Sequence, residues 1–113
     1  MVKRNGNGRA GLCYQFALEH IFRQQEGTLI HGQVWSQAQG RMIDHAWVVT
    51  ETGFVYEPVT DRYFPKDELY REYQMKEITV YTVEEAMEMV IRTRHYGPWS
   101  EVGLRLLNLT TPY

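Results

Sequence analysis

The sequence predicts a single α+β domain in which an N-terminal helix packs against an antiparallel β-sheet. The chain has 113 residues, of which 43% are hydrophobic and 13% aromatic. That length supports one core and is too short for two independent domains, so we expect one domain over residues 1–113. Apolar residues at helical spacing are followed by several short β-rich runs and then by a second helical pattern, which is the order of an α+β fold.

The helices are predicted from apolar periodicity and from the signals at their ends. The first covers residues 12 to about 25, with Cys13 in its opening turn. The capping-box pattern Thr82-Val-Glu-Glu85 predicts a second long helix that continues to about residue 94. A short helix is expected to begin near Pro65, since proline is tolerated at the first helical position.

Strands are predicted where β-branched and aromatic residues cluster between turn signals. Four such runs occur, at residues 28–35, 45–50, 54–57 and 75–81. Glu51-Thr52-Gly53 separates the second run from the third and indicates a hairpin. Residues 1–8, rich in Gly and Asn, are expected to form a flexible lead-in or a tight loop, and the tail from residue 99 fits a turn of helix or a strand.

The charge pattern bears on partners and location. Twelve basic and 14 acidic side chains are spread without runs of one sign, so nucleic acid is not an expected partner. No apolar stretch approaches the roughly 20 residues that span a bilayer, and the basic N-terminus lacks a signal-peptide core. A soluble cytoplasmic protein without membrane partners is therefore expected.

The single cysteine is a candidate nucleophile. A helix N-terminus and a nearby imidazolium both favour the reactive thiolate, and Cys13 meets the first condition by its position. His20 lies about 10 Å further along the same helix, too far to pair with it. Among His31, His45 and His95 we favour His45, because it lies on a predicted strand that is followed by a strand carrying an acid.

The acid that orients His45 is predicted to be Glu57. Both residue numbers are odd, so the two side chains share a face of the hairpin if its register pairs odd with odd. Pairing of Val49 with Gly53 would place them directly opposite each other, with Cβ atoms about 5 Å apart. Asp61 is the alternative acid, provided that the strand continues past Pro58.

Three further residues are candidates to stabilise an oxyanion or to bind substrate. The amide N–H of Cys13 is free at a helix start, and the side chain of Asn7 is placed to act as a second donor. Tyr14 and Trp47 belong to a set of aromatic residues that would wall a substrate groove, although aromatic residues more often pack in a core.

The segment Asn7-Gly-Arg-Ala-Gly-Leu-Cys13-Tyr14 resembles the stretch around the nucleophile of papain-type enzymes, and His45-Ala46-Trp47 resembles the segment that bears the histidine. The layout is closer to transglutaminase-like domains: a cysteine that opens a helix, then His-Ala-Trp, then a strand that ends in an acid before proline, here Tyr56-Glu57-Pro58. The resemblance covers about residues 7–60. It implies a papain-like core in a minimal version.

These observations predict thiol-dependent acyl transfer on a peptide, protein or small amide substrate, with hydrolysis the expected ending. Cys13 would attack, His45 would move the proton and Glu57 would orient His45. The alternatives are a catalytically silent binding, inhibitor or adaptor module, and a subunit that completes its site with a partner. No cofactor is expected, and a zinc site formed by Cys13, His45 and a carboxylate is a minor alternative. The oligomeric state is left open.

Overall fold

A computed structural model of the protein describes residues 12 to 99. Over this range it has the α+β architecture that the sequence predicts, with three helices and one sheet of five strands. In chain order the elements are α1 (Cys13–Gln24), β1 (Thr28–Ser36), β2 (Arg41–Val49), β3 (Phe54–Glu57), β4 (Arg62–Pro65), α2 (Lys66–Glu72), β5 (Lys76–Tyr81) and α3 (Val83–Thr93). The expectations for residues 1–8 and for the tail beyond Trp99 lie outside the described residues.

The sheet has the order β4-β3-β2-β1-β5, and every neighbouring pair is antiparallel. Its centre is the long hairpin of β1 and β2, which pair along their whole length from Thr28 opposite Val49 to Ser36 opposite Arg41. A four-residue turn that ends at Gly40 joins them, and Gly40 takes the left-handed conformation with φ of 64°. The middle of the sheet is therefore a rigid frame for the residues on β2.

Each face of the sheet buries its own apolar cluster, because successive side chains of a strand point to opposite faces. On one face α1 and α3 pack over Leu29, Ala46, Val48 and Tyr56 of the sheet, together with Trp99. On the other face the side chains of Ile30, Trp47, Val55 and Leu69 form a smaller cluster beside α2. The sheet therefore packs an apolar cluster on each of its faces, and neither face is wholly exposed to solvent.

The capping box predicted for α3 is confirmed. Thr82 caps α3 by accepting from the backbone N–H of Glu85, and the Glu85 side chain accepts in return from the backbone N–H of Thr82. The short helix α2 begins one residue after Pro65, which has an extended ψ of 132° and is the N-cap and not the first helical residue. Among residues 12 to 99, no helix has the length and apolar character needed to cross a bilayer.

The structure differs from the predicted strands in two ways: one strand begins earlier than predicted, and one strand was not predicted. β2 begins at Arg41, so His45 lies in the strand interior and not at its start, because the hairpin ladder with β1 continues through Arg41-Met-Ile-Asp44 up to the turn. β4 was missed entirely. It is a four-residue edge strand, Arg62–Pro65, with three of its residues exposed, and such a strand lacks the apolar alternation that marks a half-buried one.

At Gly32 of β1, the backbone of β5 and the side chain of Trp47 approach the chain closely. Gly32 pairs with His45 across β1 and β2, beside a bulge in the pairing of β1 with β5. A Cβ atom at position 32 would collide with the backbone oxygen of Lys76 and lie 2.8 Å from Cη2 of Trp47. Only glycine leaves room for both neighbours.

We expect Gly32→Ala to lower the free energy of unfolding by about 3 kcal/mol or more, since the clash is with backbone that cannot rotate away. Gly40→Ala is the matched control, because nothing lies within 4 Å of a Cβ there. It should cost only about 1 kcal/mol, for the left-handed conformation. Urea unfolding followed by circular dichroism measures both, and equal losses would contradict the close approach.

Candidate functional site

Cys13 is the first residue of α1, and its thiol lies at the positive end of that helix. The residue before it, Leu12, has no side chain that can cap the helix, and the first turn contains no acid. The N–H groups at the start of a helix that lack a partner within the helix favour a negative group nearby. Cys13 itself is 6% exposed.

His45 lies between a thiol and a carboxylate. Its Nε2 is 2.8 Å from Oε2 and 3.0 Å from Oε1 of Glu57, and its ring forms a second side-chain hydrogen bond with Cys13. Because both oxygens of Glu57 engage Nε2, we assign the hydrogen bond with the thiol to the other ring nitrogen, Nδ1. The three residues proposed from the sequence are thus brought together in the order thiol, imidazole, carboxylate.

The surroundings of His45 favour its charged form. The residue is 7% exposed, and this burial on its own lowers the pKa of the imidazole. The hydrogen bonds with Cys13 and Glu57 and the charges of both groups act against burial and together raise the pKa to about 9. His45 is consequently an imidazolium at neutral pH, which is the partner that a thiolate requires.

Glu57 reaches His45 by a register that differs from the predicted one. The ladder pairs Val48 with Tyr56 and Val49 with Val55, and a three-residue loop, Glu51–Gly53, closes the hairpin. The odd-with-odd parity is confirmed, but the pairing is shifted by two residues, so Glu57 is a diagonal neighbour of His45 and not its direct partner. Since the diagonal distance is larger, the longer side chain of a glutamate suits it.

A backbone N–H group holds the carboxylate of Glu57 in place. The sequence does not predict this donor. The N–H of Val59 donates to Oε1 of Glu57 at 2.9 Å. It lies in the turn between β3 and β4, where Asp61 has φ of 58° and its N–H donates to the carbonyl oxygen of Glu57 at 2.8 Å. No residue type marks such a contact, because any residue except proline supplies the same N–H.

Asp61, the alternative acid, is engaged elsewhere. Its Oδ1 accepts a hydrogen bond from the hydroxyl of Tyr56, on the face of the hairpin turned toward α1. The strand does not continue past Pro58, since residues 58–61 form a turn. The condition under which Asp61 would orient His45 is therefore not met.

The remaining predicted residues are placed as follows. Tyr14 is half-buried with its ring edge against His31, and burial, aided by the charge of Cys13, raises its pKa to about 12. Trp47 has no exposed surface and donates from Nε1 to the hydroxyl of Tyr70 at 2.9 Å, so it packs as a core residue, and its contact with substrate stays a prediction. It supports His45 instead, with ring centroids 5.9 Å apart and planes 27° apart. Asn7 lies outside the described residues.

The other histidines are not paired with the thiol. His31 is buried among the rings of Tyr14, Tyr81 and Trp99, and neither of its ring nitrogens has a hydrogen-bond partner within residues 12 to 99. Burial lowers its pKa to about 4, so it is neutral in the folded protein at pH 7. His95 is exposed and its Nδ1 accepts from the backbone N–H of Gly97.

The geometry does not resemble a metal centre. Within residues 12 to 99, no group of three or more His, Cys, Asp or Glu side chains is arranged to hold a metal ion. Cys13 and Glu57 contact different nitrogens of one imidazole, whereas metal ligands converge on a common point.

A pocket of about 550 Å³ opens beside His45 and Glu57. Its walls are mainly apolar side chains of the β1–β2 hairpin end, the β3–β4 hairpin and α2, and Cys13 is not among the residues that line it. The pocket therefore reaches the imidazole from the side of the carboxylate and not from the side of the thiol.

Comparison of the chain with protein-family models, with curated proteins and with solved structures finds no match.

His45 should make the stability of the fold depend on pH. An imidazole that titrates at about 9 in the folded protein and near 6.5 when unfolded adds stability that is complete below pH 6.5 and is lost as the pH rises through 9. We test this in a Cys13→Ser background, because a thiol that ionises in the same range would offset the effect, and we expect the free energy of unfolding to fall over this range by less than about 3 kcal/mol. Urea unfolding at a series of pH values measures the fall.

The same fall should be much smaller in His45→Gln, which cannot bind the proton. His95→Gln in the same Cys13→Ser background is the matched control, because His95 is exposed, and it should keep the pH dependence of the Cys13→Ser parent. Parallel curves for that parent and for its His45→Gln variant would contradict the assignment of the charge to His45.

Proposed function

We propose that this protein is a thiol-dependent acyl-transfer enzyme, with a papain-like or transglutaminase-like arrangement of Cys13, His45 and Glu57. Its substrate is a peptide, isopeptide or other amide bond, and the reaction is hydrolysis. The observation that carries the proposal is one buried imidazole hydrogen-bonded on one side to a thiol at a helix start and on the other to a carboxylate.

In the first half of the reaction the thiolate of Cys13 attacks the carbonyl carbon of the substrate. A carbon–sulfur bond forms and the carbonyl electrons move to the oxygen. When the tetrahedral intermediate collapses, the carbon–nitrogen bond breaks and the leaving amine takes the proton from His45. A thioester on Cys13 and a neutral His45 remain.

In the second half His45 acts as the base. It removes a proton from water, the hydroxide attacks the thioester carbon, and the carbon–sulfur bond breaks to release a carboxylic acid and restore the thiolate. Glu57 holds the ring orientation throughout by accepting from Nε2, and it stabilises the imidazolium. Hydrolysis is favoured over transfer to an amine because a domain of this size has little surface for a second substrate.

We infer that the backbone N–H of Cys13 donates to the oxyanion. The backbone N–H of Cys13 is among the first N–H groups of α1, which have no partner within the helix. A donor at this point also benefits from the helix dipole, which favours the developing negative charge.

Alkylation of Cys13 by iodoacetamide between pH 5 and 9 tests the proposed ion pair. A thiol of ordinary pKa, near 8.5, is only about 1% thiolate at pH 6.5. A thiolate held by His45 should therefore react about tenfold faster at that pH than the thiol in His45→Gln, after allowance for the lower nucleophilicity of a stabilised thiolate. Mass spectrometry of the modified protein gives the rates.

Turnover is tested on unalkylated protein with p-nitrophenyl acetate as the acyl donor. Wild type should form an acetyl thioester on Cys13 and release it, Cys13→Ser should form none, and Glu57→Gln should slow turnover by about 100-fold or more. Alkylation that follows an ordinary thiol titration and is unchanged in His45→Gln would exclude the proposal.

A second candidate, a binding module that makes no covalent bond, is favoured by the position of the pocket. The pocket contacts His45 and Glu57 but not the buried Cys13. Besides His45 and Tyr73, the ionisable side chains that line it in the described part of the chain are the carboxylic acids Asp44, Glu57 and Glu72, and its other walls are largely apolar. A ligand with an apolar body and a positively charged group matches this lining.

Hexylamine and hexanol, which share the apolar chain, distinguish this candidate. Hexylamine should perturb the NMR signals of Ile43 and Met75 at lower concentration than hexanol, equally in wild type and in Cys13→Ser. The preference should disappear in the double variant Asp44→Asn, Glu72→Gln. Equal effects of the two probes in the unsubstituted protein, or no effect of either, would reject the binding module.

A further inference from the structure

His20 joins the helix that carries Cys13 to the hairpin that carries Glu57. It lies two turns after Cys13 on α1 and is 4% exposed. Its ring stacks on that of Tyr56, with centroids 3.7 Å apart and planes 3° apart, and its Nε2 is 2.8 Å from the hydroxyl of Tyr63. One side chain of α1 thus contacts both strands of the β3–β4 hairpin.

The two tyrosines are adjacent to the candidate site along the hairpin. Tyr56 pairs with Tyr63, and the next pair is Glu57 with Arg62. Tyr56 also donates from its hydroxyl to Asp61, which closes the turn after Glu57. A displacement of this pair relative to α1 would therefore move Glu57 relative to Cys13.

The sheet alone holds this end of the hairpin weakly. The ladder between β2 and β3 consists of two pairs, Val48 with Tyr56 and Val49 with Val55, and does not extend to Glu57. The position of the carboxylate relative to His45 therefore depends on contacts made from the faces of the sheet. On the α1 face the contact beside Glu57 is the one that His20 makes with Tyr56 and Tyr63.

We propose that His20 is a positioning residue of the Cys13, His45 and Glu57 site, which keeps the hairpin that bears Glu57 aligned with the helix that bears Cys13. The inference extends the proposed function, on which its catalytic meaning rests. It assigns His20 no contact with substrate.

The neighbours of His20 select its neutral form. The guanidinium of Arg23 lies 3.5 Å from Nδ1 and can only donate, so Nδ1 accepts and Nε2 carries the hydrogen toward Tyr63. Burial and the charge of Arg23 lower the pKa of His20, while Asp61 on the hairpin and Glu26 after the helix act in the other direction. A second proton, on Nδ1, would point at the guanidinium of Arg23. The contact of His20 with the two tyrosines therefore requires the neutral imidazole.

The test measures the ring pKa of His45 by NMR in variants that remove parts of this contact. His20→Phe keeps a ring for stacking but loses the N–H, and Tyr63→Phe loses only the hydroxyl that faces it. Each should lower the pKa of His45 from about 9 by about one unit, because Glu57 is held less closely. Each should also slow Cys13 alkylation by iodoacetamide at pH 6.5, by up to about tenfold.

Two further variants separate positioning from packing. His20→Gln retains an N–H donor and should recover part of the His45 pKa, which a purely steric role does not predict. The double variant His20→Phe, Tyr63→Phe should shift the pKa no further than either single change, since both remove the same hydrogen bond. His95→Phe is the matched control at an exposed histidine and should leave the pKa of His45 unchanged.

The outcomes are distinct. An unchanged pKa of His45 in folded Tyr63→Phe overturns the positioning role. That variant is expected to fold even if His20→Phe does not, because it removes one oxygen from a side chain that is 50% exposed. Ordinary alkylation of the wild-type thiol together with a lowered pKa of His45 in Tyr63→Phe would reject the proposed enzyme while supporting the position that His20 gives to Glu57.

Discussion

The structure is organised around a buried positive charge, the imidazolium of His45. A charge at a position that is 7% exposed is strongly destabilising unless nearby groups replace the water that it has lost. The carboxylate of Glu57 and the thiol of Cys13 do so from opposite sides of the ring, and their combined effect exceeds that of burial. Three elements that are separate in the chain, α1, β2 and β3, must therefore meet at one point.

The surrounding packing keeps that point in place. Trp47, two residues after His45 on the same face of β2, lies beside the imidazole and is itself anchored by Tyr70. Gly32, opposite His45 on β1, leaves the space that the indole and the neighbouring strand occupy. Trp47, Tyr70 and Gly32 have no proposed catalytic role. The orientation of the imidazole nevertheless depends on how they pack around it, since a close-packed interior allows little displacement.

The two proposed functions use opposite sides of the same imidazole. Acyl transfer uses the side of Cys13, where the helix start favours negative charge, and ligand binding uses the side of Glu57, where the pocket opens. The limited exposure of the thiol is the feature that separates them. Chemical reactivity of Cys13 is the decisive property, because the same relay of hydrogen bonds serves a nucleophile in one case and only a stable charge in the other.

Local patterns in the sequence determined the helices, their caps, the turn between β2 and β3, and the shared face of His45 and Glu57. They did so because capping and alternation depend on neighbouring residues alone. The register between β2 and β3, the short edge strand β4, and the choice of Glu57 over Asp61 were decided by the tertiary structure. Alternation specifies a face but not a position along it, and the contacts that select the position, from the Val59 N–H to Glu57 and from His20 to the hairpin, form only once α1 and the sheet have packed together.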